Sequence, residues 1–262
     1  MADGRTRVAN RPALDKLARL GYAVSGLLHL LIGALAVQTG FGGGGRSADQ
    51  SGALAQIAAQ PFGRVLLWAA VAGFAALGVL YLSQAIGGWQ RPGERVKAGG
   101  KSLVYLALAW TSFGFARGSG GSSGQQSADV TARLLELPGG RLLVVAIGLL
   151  VVGVGVYHVA KGWQKKFLRD LDGGTEGTLG DAVVKTATVG YIAKGIALVV
   201  VGLLFVVAAV QVDPSEATGL DGALHTLREQ PLGVLLLVVV GAGLAAFGVY
   251  CFARARYGRL PR

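Results

Sequence analysis

The chain has 262 residues, of which 52% are hydrophobic and only 15% are charged, and its mean hydropathy is +0.53. This composition is too apolar for an ordinary soluble domain and is typical of an integral membrane protein. Because Cys251 is the single cysteine, an internal disulfide and a multi-cysteine metal cluster are both excluded.

Uncharged runs long enough to cross a bilayer occur six times along the chain. A hydrocarbon core of about 30 Å takes about 20 apolar residues of helix, and the runs cover residues 20–38, 63–86, 102–116, 142–160, 187–211 and 232–253. Lys194 is the one charged residue well inside a run. The third run is short, so it needs residues 96–100 or a locally thinner bilayer. We therefore predict an all-α integral membrane protein with six transmembrane helices.

Lysine and arginine concentrate in alternate connections between these runs. Both tails, the second connection and the fourth connection are basic, with representatives at Arg11, Arg95, Lys165 and Arg256. Because such residues accumulate on the cytoplasmic side of short loops, we predict a multi-pass membrane protein with both termini in the cytoplasm. The same bias accounts for the net charge of +11, so nucleic acid is not an expected partner.

Internal similarity divides the chain into three copies of a helical hairpin. Offsets of 76 or 77 and then 93 residues align Pro61, Pro138 and Pro231, each followed two residues later by glycine. A short segment before each proline has the spacing of a short amphipathic helix at the outer interface. The predicted units begin with a basic tail at residues 1–16 and two hairpins at 17–90 and 91–168. A linker at 169–185, the third hairpin at 186–256 and a second basic tail at 257–262 follow.

Repeats with an even number of spans share one orientation, so their symmetry axis runs along the membrane normal. We therefore expect the three hairpins to form a pseudo-threefold bundle. Small residues at Gly21, Ser25 and Gly33, with His29 on the same face, allow close approach of helix backbones. The alignment places His29 level with Tyr105 and Leu198, so Ser25, His29, Tyr105 and Leu198 are the candidate residues at the bundle axis.

The openings of the first and third hairpins are nearly the same. They read Leu20-Gly21-Tyr22-Ala23-Val24-Ser25-Gly26 and Val189-Gly190-Tyr191-Ile192-Ala193-Lys194-Gly195. With the repeated Pro-x-Gly motif, they resemble the bacterial membrane proteins grouped as domain of unknown function 1206, over nearly all of residues 17–256. The resemblance implies repeated two-helix membrane units in a bacterial plasma membrane, and it supplies no catalytic residues. The middle copy departs most, because Ala98 occupies the position of Tyr22 and Tyr191.

Basic residues recur at equivalent positions near the inner ends of the spans. Lys101 aligns with Lys194, and Lys161 aligns with Arg254 and with Gln84. Lys101, Lys161, Lys194 and Arg254 are therefore the candidate contacts for an anion or an anionic lipid headgroup. The alternative is that their long side chains only anchor helix ends by extending to the interface.

Other possible sites fail on spacing. Gly99-Gly100-Lys101-Ser102 resembles the end of a phosphate-binding loop, but Arg95 stands where that loop needs glycine. Asp170, Asp172 and Asp181 have calcium-loop spacing, but neighbouring ligand and turn positions do not match. His29 and His158 would need equal depth to hold haem, whereas their positions differ by about 9 Å along the bundle. No catalytic constellation remains, so we expect no enzyme and no cofactor.

Three functions stay open on the sequence alone. The first is a structural or regulatory scaffold whose basic cytoplasmic face contacts anionic lipid, a membrane-protein partner or another copy of the chain. The second is an uncoupled channel or permease for a small anion or neutral solute, and the third is a haem-binding redox protein. Ion-coupled transport is not expected, because none of the spans contains an acidic residue.

Overall fold

The computed structural model describes residues 11–43, 45–87, 91–171 and 177–260, and the regular structure within them is helical. The helices, in chain order, are α1 (Arg11–Gly40), α2 (Gln50–Ala58), α3 (Gly63–Ile86), α4 (Pro92–Ala116), α5 (Ser123–Leu135), α6 (Gly140–Trp163), α7 (Gly177–Gln211), α8 (Gly219–Arg228) and α9 (Gly233–Tyr257). Single 3-10 turns follow α6 at Lys166–Asp170 and α7 at Pro214–Glu216. Arg5, Arg7 and Arg262 of the predicted tails, and Asp172, lie outside the described residues.

Five of the described helices are long and apolar enough to cross a bilayer: α1, α3, α6, α7 and α9. The sixth long helix, α4, has 25 residues, but charged side chains at Glu94, Arg95 and Lys97 occupy its first turns. The six predicted runs therefore all lie in long helices, and five of these are candidate spans by length and composition.

The short helices α2, α5 and α8 precede the three aligned prolines, and the geometry explains the Pro-x-Gly motif. Each long helix that follows begins at the glycine of that motif: Gly63, Gly140 and Gly233. A Cβ atom added at any of these glycines would collide with a backbone carbonyl near the end of the preceding short helix. Glycine recurs there because the chain reverses direction without room for a side chain.

The most extensive helix packing joins different repeats. Helix α3 packs on α4, α6 packs on α7, and α9 packs on α1. The second helix of each repeat therefore lies against the first helix of the next, and the third repeat returns to the first. This arrangement was not predicted, because the sequence pattern indicated hairpins without showing which helices become neighbours.

Glycines bring the backbones of these pairs together. A Cβ atom at Gly155 in α6 would lie 2.7 Å from the carbonyl oxygen of Gly195 in α7, and one at Gly248 in α9 would lie 2.7 Å from that of Gly26 in α1. The equivalent crossing of α3 and α4 uses Ser102, whose hydroxyl donates to the carbonyl of Gly78 at 2.8 Å. Such close approaches are how small residues stabilise helix pairs in membranes.

Within a repeat, the two long helices pack in the first and third copies only. Helix α1 packs on α3 and α7 packs on α9, but α4 and α6 make no extensive contact in the described part of the chain. We call the space between α4 and α6 the open side. The expected pseudo-threefold arrangement is thus present in the helix pairs but is interrupted in the middle repeat.

The two ends of the bundle differ in composition. The short helices cluster at one end, where the amide of Ala48 donates to Asp221 at 2.6 Å and that of Ser123 donates to Ser51 at 3.1 Å. We call this the short-helix end. The opposite end, which we call the basic end, contains the first turns of α1, α4 and α7 and the last turns of α3, α6 and α9.

Candidate anion site at the basic end

Cations of one repeat lie over tyrosine rings of the next repeat at the basic end. The guanidinium carbon of Arg254 in α9 is 4.5 Å from the ring centroid of Tyr22 in α1. Lys161 in α6 has its Nζ atom 5.0 Å from the ring centroid of Tyr191 in α7. Both contacts hold a cation against the negative face of a ring. The third copy has Gln84 and Ala98 at these positions, so it lacks both the cation and the ring.

The side chain of Arg254 extends into the bundle beside a group of tyrosines. One terminal nitrogen donates to the hydroxyl of Tyr81 at 3.2 Å, and that hydroxyl is 2.8 Å from the hydroxyl of Tyr22. The ring of Tyr81 stacks on Tyr105, with centroids 5.7 Å apart. Tyr105 therefore belongs to an aromatic cluster of the first two repeats, together with Tyr22 and Tyr81.

One buried donor on α9, Nε of Arg254, has no hydrogen-bond partner among the described residues. The hydroxyl of Tyr250, which lies one turn earlier, interacts with the side chain of Tyr191. Buried polar groups are almost always paired, so the unpaired guanidinium nitrogen indicates a position where an acceptor from outside the chain would be stabilised.

Asp170 is the carboxylate that the described residues place among these cations. It forms an ion pair with Lys161, in which the lysine side chain is only 10% exposed and the carboxylate 22%. Burial would raise the pKa of Asp170, but the positive charges of Arg254 and Lys161 outweigh it and hold the pKa below its usual value. Asp170 is therefore ionised at neutral pH.

Lys101 faces the same group from α4. Its Nζ atom is 5.0 Å from the ring centroid of Tyr81, and its charge interacts with those of Lys161 and Asp170. Unlike Lys161, Lys101 is exposed, because it stands beside the open side.

Lys194 and His29 form a polar pair deeper in the bundle. Nζ of Lys194 lies 3.2 Å from Nε2 of His29, while Nδ1 of His29 is 2.7 Å from the carbonyl oxygen of Ser25. The carbonyl can only accept, so Nδ1 carries the proton and Nε2 accepts from the lysine ammonium. Lys194 also lies 4.2 Å from the ring centroid of Phe247. Both ring nitrogens of His29 are thus engaged, which leaves none for a haem iron.

The four predicted axis residues do not form one contact group among the described residues. Ser25 and His29 lie together beside Lys194, and the Ser25 hydroxyl is 3.9 Å from the sulfur of Cys251. Tyr105 instead packs against Tyr22 and Tyr81. Leu198 is partly buried on α7, one turn beyond Lys194.

Sequence reasoning missed two parts of the site. Asp170 was considered only as a calcium ligand, although it is the counter-ion of Lys161. The contacts of Arg254 with Tyr22 and Tyr81 were not predicted either. The equivalence of Tyr22 with Tyr191, alongside that of Arg254 with Lys161, is the signal that could have revealed a repeated cation–ring contact.

The group formed by Lys101, Lys161, Lys194, Arg254 and Asp170 is called the basic cluster below. Three of its four cations interact with its one carboxylate, and the four come from all three inter-repeat helix pairs. In surroundings of low dielectric constant an excess of positive charge is costly unless an anion enters. Guanidinium, ammonium and hydroxyl donors suit the oxygens of a phosphate group.

Comparison with known proteins agrees with the repeat analysis. The family described as Domain of Unknown Function (DUF1206) matches three segments, residues 20–88, 96–165 and 189–258. The chain is also similar to a Bacillus subtilis (strain 168) protein named Uncharacterized protein YxxB, with 30% identity over 257 residues that cover 94% of this chain and 92% of the relative. No solved structure matches the chain. These matches confirm the resemblance found in the sequence, and the chain belongs to the DUF1206 family.

Proposed function

We propose that this protein is a non-catalytic membrane scaffold that holds the anionic headgroup of a phospholipid in the basic cluster. The observation that carries the proposal is the charge imbalance: among the described residues the basic cluster has four cations and one carboxylate, beside a buried guanidinium nitrogen without a partner. A phosphate would supply the missing negative charge and accept from this nitrogen.

The positions of the cations argue against a purely anchoring role. A lysine that only anchors a helix end extends its ammonium outward to the interface. Here Lys161 is buried against Asp170 and Tyr191, and Lys194 points toward His29. A lipid source is favoured over a soluble anion because Lys101 is exposed beside the open side, where the cluster meets the bilayer.

The proposal includes six spans. Helix α4 runs antiparallel to α3 from the contact of Ser102 with Gly78 to that of Phe113 with Trp68. Both α3 and α6 begin at the short-helix end, so the chain must return from the basic end between them, and α4 is the helix described there. At about 1.5 Å per residue its 25 residues extend about 37 Å, which is sufficient for a bilayer.

The orientation follows from the charge of the basic end. Arg19, Arg95, Lys165 and Arg256 lie there, whereas fewer basic residues lie at the short-helix end. The positive-inside rule supports a cytoplasmic position for the basic end, and with it for both termini, in a bacterium. The cluster then lies at the leaflet whose surface attracts basic groups and supplies anionic headgroups.

Native mass spectrometry of the purified protein in detergent tests the function. The wild-type chain should retain phosphatidylglycerol in preference to phosphatidylcholine. Replacement of Lys101, Lys161, Lys194 and Arg254 by glutamine should remove that preference. A control with glutamine at the exposed residues Lys165, Lys166, Arg169 and Arg256 changes charge equally and should keep it. Equal retention of both lipids by the wild type would refute the proposal.

Calorimetry with inorganic phosphate separates the two sources of the anion. A lipid site should bind phosphate weakly and lose it when phosphatidylglycerol is added. Tight phosphate binding without any lipid preference would instead indicate a site for a soluble anion.

An uncoupled anion pathway is the second candidate. The observation that favours it is the Lys194–His29 pair, which extends the polar site deeper into the bundle. Chloride or phosphate leak from proteoliposomes, independent of an imposed proton gradient and abolished by Lys194→Leu, would support it over the scaffold.

A further inference from the structure

The open side follows from two positions at which the middle repeat differs from the first and third repeats. In the first repeat, a Cβ atom added to Gly21 in α1 would lie 2.5 Å from the carbonyl oxygen of Gly73 in α3. The same position of the third repeat is Gly190 in α7, where an added Cβ would lie 2.5 Å from the amide nitrogen of Phe247 in α9. Small residues thus permit α1 to pack on α3 and α7 on α9.

The middle repeat has large residues at both of these positions. Lys97 in α4 is equivalent to Gly21 and Gly190, and Leu150 in α6 is equivalent to Gly73 and Gly243. The Leu150 side chain is 68% exposed, and Lys97 is exposed and pairs with Glu94 at 2.9 Å. Two helices that carry such side chains cannot approach as closely as α1 and α3 do. The open side is therefore encoded in the sequence.

The surfaces of α4 and α6 beside the open side are charged near the basic end and apolar near the short-helix end. Toward the basic end Lys101 on α4 is exposed, and its charge interacts with that of Lys161 on α6. Toward the short-helix end the surfaces are apolar, with Val104 on α4 and Leu150 and Val154 on α6 exposed. A cationic end and an apolar remainder match the headgroup and acyl chain of an anionic lipid.

We propose that the open side seats one anionic phospholipid, which enters sideways from the bilayer and places its acyl chain between α4 and α6. The headgroup phosphate then lies at Lys101 and Lys161, so the inference rests on the proposed function and specifies the route and the seat. The helix pair α3 and α4 borders this route. It lacks the cation–ring contact of the other two pairs, because Gln84 and Ala98 stand at those positions.

Restoring the repeat pattern tests the route. The double variant Lys97→Gly/Leu150→Gly gives the middle repeat the residues that let α1 pack on α3, and it leaves Lys101, Lys161, Lys194 and Arg254 unchanged. We expect at least a tenfold loss of retained phosphatidylglycerol, while binding of inorganic phosphate to the cluster persists. The control Val96→Gly/Leu149→Gly removes similar exposed side chains from the same two helices and should retain lipid as the wild type does.

A second variant fills the open side with a large side chain and does not require α4 and α6 to approach each other. Val154 is equivalent to Leu77 and Phe247, which contact the first helix of their own repeats. Val154→Trp should displace the acyl chain and lower lipid retention, whereas Val156→Trp, at an exposed position two residues away, should not.

The two proposals fail in different ways. If either the glycine pair or Val154→Trp retains phosphatidylglycerol at the wild-type level, the lateral seat is wrong while the basic cluster can still bind a headgroup. If the wild type shows no preference for phosphatidylglycerol, the proposed function itself is wrong. Thermal unfolding of each variant and its control identifies any loss that comes from misfolding.

Discussion

Nζ of Lys194 in α7 donates to Nε2 of His29 in α1 at 3.2 Å, although these helices belong to different repeats and each packs mainly on other partners. The contact joins the first and third repeats across the interior. His29 in turn donates through Nδ1 to the carbonyl of Ser25, one turn earlier in its own helix. An ammonium group within the membrane is thereby matched to a fixed acceptor.

Removing one member of this pair should cost more than removing both. His29→Leu leaves the ammonium of Lys194 without that acceptor, and leaving a buried donor unpaired costs about 1–3 kcal/mol. The double variant His29→Leu/Lys194→Leu removes the charge as well and should recover most of this loss. Thermal unfolding of the purified variants measures both values, with His225→Leu on α8 as an exposed control. Additive effects would show that the contact contributes nothing to stability.

A side chain added at a glycine where two helices cross should destabilise the protein. Gly155→Val would place Cβ 2.7 Å from a backbone carbonyl of α7, and a backbone atom can yield only if the two helices separate. We expect a loss of about 1–3 kcal/mol, which is typical of overpacking. Gly153→Val is the matched control, because a Cβ atom at Gly153 meets nothing within 4 Å. Equal melting temperatures for the two variants would contradict the close approach of α6 and α7.

The ion pair of Asp170 with Lys161 should make stability depend on pH. The pKa of Asp170 is lower in the folded protein than the usual value of about 3.9, so its contribution is complete above that value. It is lost as the pH falls through the folded pKa. The melting temperature of the wild type should therefore exceed that of Asp170→Asn at pH 7, and the difference should shrink as the pH approaches 3. The exposed Asp181→Asn should show no such trend.

The sequence predicted positions along the helices better than it predicted neighbours. The proline after each short helix and the glycine that begins the next long helix could be found by alignment, because that constraint is local. His29 and Tyr105 also align, yet they contact different groups. Equivalent residues in a repeat occupy equivalent interfaces, and they meet each other only if their side chains point to the symmetry axis. The exchange of glycine for Lys97 and Leu150 was visible in the same alignment, but its meaning required knowing which helices pack.

Labelling of single cysteines at the two ends of α4 tests whether this helix crosses the membrane. Arg91 precedes α4 at the basic end, and Gly121 follows it toward the short-helix end; both are exposed. In a Cys251→Ser background, Gly121→Cys should react with an impermeant maleimide on intact spheroplasts, whereas Arg91→Cys should react only after permeabilisation. Cys251 itself is a poor probe, because it is only 4% exposed.

Two further positions calibrate the labelling. Lys165→Cys, after α6, should behave like Arg91→Cys, and Phe41→Cys, after α1, should behave like Gly121→Cys, since Phe41 is 74% exposed. Reaction of Arg91→Cys and Gly121→Cys from the same side would mean that α4 does not cross. The opposite pattern at all four positions would invert the orientation and move the basic cluster to the outer leaflet. Because α4 carries Lys101 and borders the open side, a helix that fails to cross would also remove the lateral seat.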